Sequence, residues 1–252
     1  MLLLLFVSQS RSEGAVYVYD ANNLSGTPTK LAPSGLATSD VFGSSVAIYG
    51  NQIVVGAIRD DDQGNDAGAV YVYDASNLSA PPTKLTPAGL DADDQFGYSV
   101  ATTANQIVVG TRLDDDQGNN AGAVYVYDAT NLSATPTKLA PSGLDNYDQF
   151  GISVAATSNH IVVGAHLDDD QGDSAGAVYV FDANNLSATP TKLAPSGLDA
   201  GDNYGFSVTA HGSQIIVGAP QDDDQGNQAG AIYIYDANDL SATPTKLVTF
   251  RS

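Results

Sequence analysis

Five Gly-Ala-Val/Ile triplets, opening at Gly14, Gly68, Gly122, Gly176 and Gly230, stand 54 residues apart without a slip. The same step carries Thr-Lys-Leu from Thr29 through Thr83, Thr137 and Thr191 to Thr245, and Ser-Val from Ser45 through Ser99 and Ser153 to Ser207. A fixed period filled with strand-forming residues restricts the fold to a stacked or radial array, in which each unit buries its apolar faces on its neighbours. Four units are complete, at about 40–87, 94–141, 148–195 and 202–249, and a half-unit from Gly14 to Leu31 precedes them. The repeat region runs over 14–252, and residues 1–13 stand outside it.

Each unit reads as all-β. Helix formers are scarce, with one glutamate (Glu13) and one methionine, while 25 Gly and 11 Pro fall mostly between short runs of Val, Ile, Tyr and Thr. In the second unit strands are expected at Tyr98 to Thr102, Gln106 to Thr111, Ala123 to Asp128 and Thr137 to Ala140. Side chains alternate along a strand, so Val124 and Val126 take one face and Tyr125 and Tyr127 the other, and both faces are apolar. Such strands are sandwiched, as a propeller blade is between its neighbours. A parallel β-helix is the competing solenoid, but its coils are shorter and less interrupted by Asp-Gly-rich loops. The expected fold is therefore an all-β propeller of four-stranded blades.

Composition excludes several partners. The net charge of −20 and pI near 4.1 oppose nucleic acid and anionic membrane surfaces, which demand Lys and Arg. No segment is long enough to span a membrane. Cysteine is absent, which removes disulfides and thiolate metal sites. The histidines occupy positions filled otherwise in other copies: His160 matches Gln52, Gln106 and Gln214, His166 matches Ile58, Arg112 and Pro220, and His211 matches Thr157. No nucleophile with its base can be assembled from the pattern, so a non-enzyme is expected. The sequons at Asn23, Asn77, Asn131 and Asn185 give way to Asp239 in the fifth copy, which favours turn chemistry over glycosylation as the reason for that residue. Ser45, Ser99, Ser153 and Ser207 are expected to pack near the propeller axis.

The units resemble the FG-GAP family of β-propeller repeats, known from the integrin α-subunit head and from bacterial surface proteins. The FG element stands at Phe42-Gly43, Phe96-Gly97 and Phe150-Gly151, with Tyr204-Gly205 as a variant. The GAP element is literal at Gly218-Ala219-Pro220, and stands as Gly56-Ala57-Ile58, Gly110-Thr111-Arg112 and Gly164-Ala165-His166 elsewhere. The resemblance implies an extracellular or cell-surface propeller that binds a protein or glycan through loops of one face. A spacer repeat of a larger surface protein and an accessory propeller of a secreted hydrolase are the alternatives. The integrin-like form carries a calcium loop between the FG and GAP strands. Here that connection is short and nearly uncharged, as in Thr103-Ala104-Asn105-Gln106, so that site does not transfer.

An acidic run follows the GAP strand instead: Asp60-Asp61-Asp62, Asp114-Asp115-Asp116, Asp168-Asp169-Asp170 and Asp222-Asp223-Asp224, each leading into Gln-Gly. A second acid precedes each FG element, at Asp40, Asp94, Asp148 and Asp202. In a four-stranded blade both sets should meet on one face of the disc. Clustered carboxylates suit calcium, which takes six to eight oxygens, with affinity in the weak range of about 10⁻⁴ to 10⁻³ M. A solvated acidic surface is the alternative, because the repulsion of aspartates two apart costs only about 0.6 kcal/mol in water.

The N-terminal segment lacks the acidic run. Counting back 54 residues aligns Met1 with Val55 and Phe6 with Asp60, so 1–13 reads as a foreign or truncated start. Leu2 to Val7 is short for a signal core and has no basic residue ahead of it. Either this segment pairs with Ala15 to Asp20 in a five-bladed ring that lacks one inner strand, or the chain is an open arc that self-associates through its exposed ends. The open or imperfectly closed form is expected.

Overall fold

The computed structural model describes residues 3–9 and 14–248. Met1, Glu13 and the tail from Thr249 to Ser252 lie outside the described residues. Among the described residues, nineteen strands fall into five antiparallel sheets. The half-unit is β1 (Leu3–Gln9), β2 (Gly14–Asp20) and β3 (Thr29–Leu31). Blade one is β4 (Phe42–Tyr49), β5 (Gln52–Ala57), β6 (Ala69–Asp74) and β7 (Thr83–Leu85). Blade two is β8 (Ser99–Thr102), β9 (Gln106–Thr111), β10 (Ala123–Asp128) and β11 (Thr137–Leu139). Blade three is β12 (Ser153–Ala156), β13 (His160–Ala165), β14 (Ala177–Asp182) and β15 (Thr191–Leu193). Blade four is β16 (Ser207–His211), β17 (Gln214–Ala219), β18 (Ala231–Asp236) and β19 (Thr245–Val248). Within each blade the strands pair in sequence order, as the propeller reading requires.

The alternation read from Ala-Val-Tyr-Val-Tyr organises the core. Val54, Val70, Val72 and Leu85 form a valine face on blade one, and it meets Ile107, Val109, Tyr125 and Tyr127 on the tyrosine face of blade two. The same pairing joins blade two to blade three, and blade three to blade four. The half-unit presents Val16, Val18 and Leu31 to Ile53, Val55, Tyr71 and Tyr73 of blade one. The FG aromatic closes each seam edge-on. Phe96 lies 5.6 Å from the Tyr125 ring and 6.4 Å from that of Tyr127.

Two glycines per unit exist for a close approach of inner strands. The hydroxyls of Ser45, Ser99 and Ser153 donate across the seam to the carbonyls of Gly97, Gly151 and Gly205, at 2.7, 2.8 and 2.8 Å. A Cβ on Gly56, Gly110 or Gly164 would collide with those same carbonyls. Ser-Val, Phe-Gly and Gly-Ala are thus the two sides of one backbone contact, which accounts for the serines expected near the axis.

The arc is open. On blade four the valine face is exposed: Ile232 is 45% and Leu247 50% accessible, whereas their counterparts Val178 and Leu193 on blade three are 0% and 5%. The N-terminal segment does form the extra strand, but in a different register from the one obtained by counting back 54 residues. Leu3 stands opposite Asp20 as Gln52 stands opposite Asp74, so Leu4 and Phe6 hold the ladder places of Ile53 and Val55. Phe6 therefore matches Val55 rather than Asp60. A short connection replaces the acidic loop, and strand pairing follows the apolar pattern rather than the count. An added strand and an open arc, framed as alternatives from sequence, occur together.

One repeated defect is legible. The buried Tyr73 and Tyr127 hydroxyls have no hydrogen-bond partner among the described residues. Blade three has Phe181 at that place, and in blade four Tyr204 replaces the FG phenylalanine and donates to the Tyr235 hydroxyl at 2.6 Å. Tyr127→Phe removes an unsatisfied buried hydroxyl, so it should be neutral or stabilising by up to about 1 kcal/mol in urea unfolding. A loss beyond about 1 kcal/mol would show that the hydroxyl has a partner.

Candidate functional site

The acidic runs begin at the ends of β5, β9, β13 and β17, and their first and third carboxylates turn back onto the blade. Lys84 of β7 places its ammonium 2.7 Å from Asp60 and 2.5 Å from Asp62, above the Tyr71 ring. Tyr71 donates its hydroxyl to the other Asp60 oxygen at 2.8 Å. Lys138 with Asp114 and Asp116, Lys192 with Asp168 and Asp170, and Lys246 with Asp222 and Asp224 repeat the clamp at 2.6 Å per pair. Asp60, Asp114, Asp168 and Asp222 are buried, and the remaining members of each run are exposed. Burial works against the Lys138 charge, but the bonds to Asp114 and Asp116 outweigh it and hold the ammonium above its ordinary range. Removing the lysine would leave a buried carboxylate without its counter-charge.

Calcium would have to share the run with that ammonium. Of Asp60, Asp61 and Asp62, two carboxylates already hold Lys84, and Asp61 accepts the Asp66 N–H at 2.8 Å. As arranged, a single run does not offer a cage of six to eight oxygens. Blade three adds one more acid: Asp145, Asp169 and Asp170, all exposed, bring ligand atoms within 4.8 Å of one another.

The second acidic set lies on the same face as the first. The Leu113 N–H donates to the Asp94 carbonyl at 3.4 Å, which ties the start of the acidic loop to the residue ahead of the FG element. Asp40, Asp94, Asp148 and Asp202 are buried, and each carboxylate accepts a backbone N–H three residues back, 2.8 Å from Asp91 in the case of Asp94. They act as caps of the turn that enters each blade.

Two of the positions at which the copies diverge adjoin on this face. After the second strand stand Ile58, Arg112, His166 and Pro220, and after the FG glycine stand Ser44, Tyr98, Ile152 and Phe206. Arg112 donates to the side-chain oxygens of Gln95 and Gln149, both at 3.0 Å, and lies over the Tyr98 ring at 4.2 Å. His166 is buried edge-on to Phe206 at 5.4 Å, and its Nδ1 has no partner among the described residues. Burial, reinforced by the Arg112 charge, pushes its pKa down to about 4, so the imidazole is neutral at pH 7. Phe206 is 48% exposed beside it. Arg112 and His166 do not repeat and so fell outside the sequence-derived ligand set. The signal that finds them is non-identity among near-identical copies.

The sequon positions show the turn chemistry read from the sequence. Asn77, Asn131 and Asn185 accept from the serine two residues on at 2.7–2.8 Å, and Asp239 does the same for Ser241 at 2.6 Å.

The buried caps give stability a pH slope. Burial, with a smaller push from the Asp114 charge, raises Asp94 to about 7; burial and Asp168 raise Asp148 to about 6. Asp40 and Asp202 shift the same way for the same first reason. A carboxyl raised in the folded state holds a proton there that the unfolded chain releases near pH 4. Its stabilising effect is complete below about pH 4 and is lost as pH rises through 6 to 7. The melting temperature should therefore be higher at pH 5 than at pH 8, and Asp94→Asn should narrow the difference. A melting temperature that rises from pH 5 to pH 8 would contradict this assignment.

The FG-GAP repeat model matches residues 27–73, 82–127, 135–181 and 189–235, the larger part of the chain. Among curated proteins none matches. Among solved structures, the computationally designed Ika4 protein is similar over 81% of this chain and 95% of its own, at 15% sequence identity and a TM-score of 0.49. With four repeat matches over the larger part of its length, the chain belongs to the FG-GAP repeat family.

Proposed function

We propose that this protein is a non-enzymatic extracellular binding module of adhesion type, which engages a protein or glycan through the face that carries Arg112 and His166. One observation carries the reading: the core frame is nearly constant from blade to blade, while the adjoining positions of Tyr98 and Arg112 and of Phe206 and His166, which run from half-exposed Phe206 to buried His166, differ in every copy. A spacer needs no such variety. The ligand expected there has an anionic group for Arg112 and an apolar or sugar face for Tyr98 and Phe206, because a guanidinium on an aromatic ring recognises carboxylate or sulfate. In a chain of net charge −20 the rest of the surface repels anions, which makes recognition local.

Calcium dependence belongs to the proposal in a restricted form. It is assigned to the exposed carboxylates, foremost Asp145 and Asp169 together with Asp170, which calcium would share with Lys192, rather than to four equal sites made of whole Asp-Asp-Asp runs. Binding of folded protein to a glycan and matrix-protein array, with and without millimolar calcium, should give signals that Arg112→Ala reduces by about tenfold or more. Calorimetry with calcium alone should show weak heat that Asp169→Asn diminishes. Array silence under both conditions would leave the spacer reading in its place.

A further inference from the structure

We infer that the exposed valine face of blade four docks on the tyrosine face of the half-unit of a second copy, joining chains head to tail. The four seams inside the molecule supply the template. In each, a valine face such as Val54, Val70, Val72 and Leu85 meets a tyrosine face, and both are buried. Blade four presents the same pattern with bulkier members, Ile216, Ile232, Ile234 and Leu247, and there Ile232 and Leu247 stand 45% and 50% exposed. At the other end the half-unit turns Val16, Val18 and Leu31 inward, which leaves Tyr17 on the opposite side of the same strand. Tyr17 is half-buried, where its counterpart Tyr71 is 4% exposed. The ladder beside it is apolar as well, with Phe6 opposite Tyr17 and Leu4 opposite Tyr19.

The two open faces are thus opposite halves of one seam, carried on opposite ends of one chain. A contact between unlike patches is heterologous, so it propagates to further copies unless the ring closes. Two valine faces meeting each other would lack the aromatic half of the seam. Blade four also lacks the cross-seam bond that its inner strand would make: nothing but Ser207 lies near a Cβ placed on Gly218, whereas Gly164 meets the next blade's carbonyl. The charge of −20 opposes association of like copies, so docking should strengthen as salt screens it.

Sedimentation velocity of the whole chain over a concentration series, at low and high salt, tests the inference. The weight-average sedimentation coefficient should rise with concentration, and more steeply at high salt. Leu247→Asp breaks the valine face and Tyr17→Asp the tyrosine face, and each variant alone should stay monomeric. An equimolar mixture should recover a dimer and nothing larger, because each variant retains the face that the other has lost. Circular dichroism identical to the parent checks that both variants fold, and Tyr17→Ser replaces Tyr17→Asp should the charge unfold the half-unit. A parent that stays monomeric at every concentration overturns the inference. So does a Tyr17 variant that dimerises alone, which would mark a valine-to-valine contact.

Discussion

Everything in this molecule depends on the seam between successive blades. A single blade has two apolar faces and little else, so each face left in water costs it stability. Burying a Val, Leu or Ile side chain contributes about 1.5–3 kcal/mol, and each seam between complete blades buries four on its valine side alone. The inner strands approach closely enough for Ser99 to bond the Gly151 carbonyl, which only glycine at 110 permits. The sequence marks that define the repeat are therefore the residues that make neighbours fit. Their regular spacing is a consequence of one contact made again and again.

The polar frame serves the same end. The fourth strand of each blade has a hydrogen-bonded neighbour on one side only, and the clamp of Lys138 on Asp114 and Asp116 ties β11 to the loop that leaves β9. Charge that looks from the sequence like a surplus of acid is partly matched inside each blade. What remains outward is the central carboxylate of each run, and beside it the few positions where the copies disagree. The constant residues build seams and clamps, and the copies differ mainly in loops and at strand ends.

The fold was legible because the pattern was redundant. Val124 and Val126 against Tyr125 and Tyr127 predicted two buried faces, and five copies made the period unmistakable. Counting back 54 residues misplaces the N-terminal strand, because fewer residues separate β1 from β2 than β5 from β6, and Leu4 and Phe6 hold the ladder places of Ile53 and Val55 out of the repeat's count. The site was less legible for a physical reason. Lys84 lies 24 residues from Asp60 in sequence, so the run read as bare acid until the strands were paired. Arg112 and His166 carry no repeat signal, and only the paired strands bring them beside Tyr98 and Phe206.

Amide hydrogen exchange tests most directly the claim that a blade is stable only against its neighbour. Strands β13 and β17 have the same ladder on both sides and nearly the same sequence, and differ in whether the valine face is covered. At a concentration where the chain is monomeric, Ile215 to Gly218 should exchange at least about tenfold faster than Ile161 to Gly164. Equal protection of the two strands would mean that each blade holds itself together, and would contradict the account.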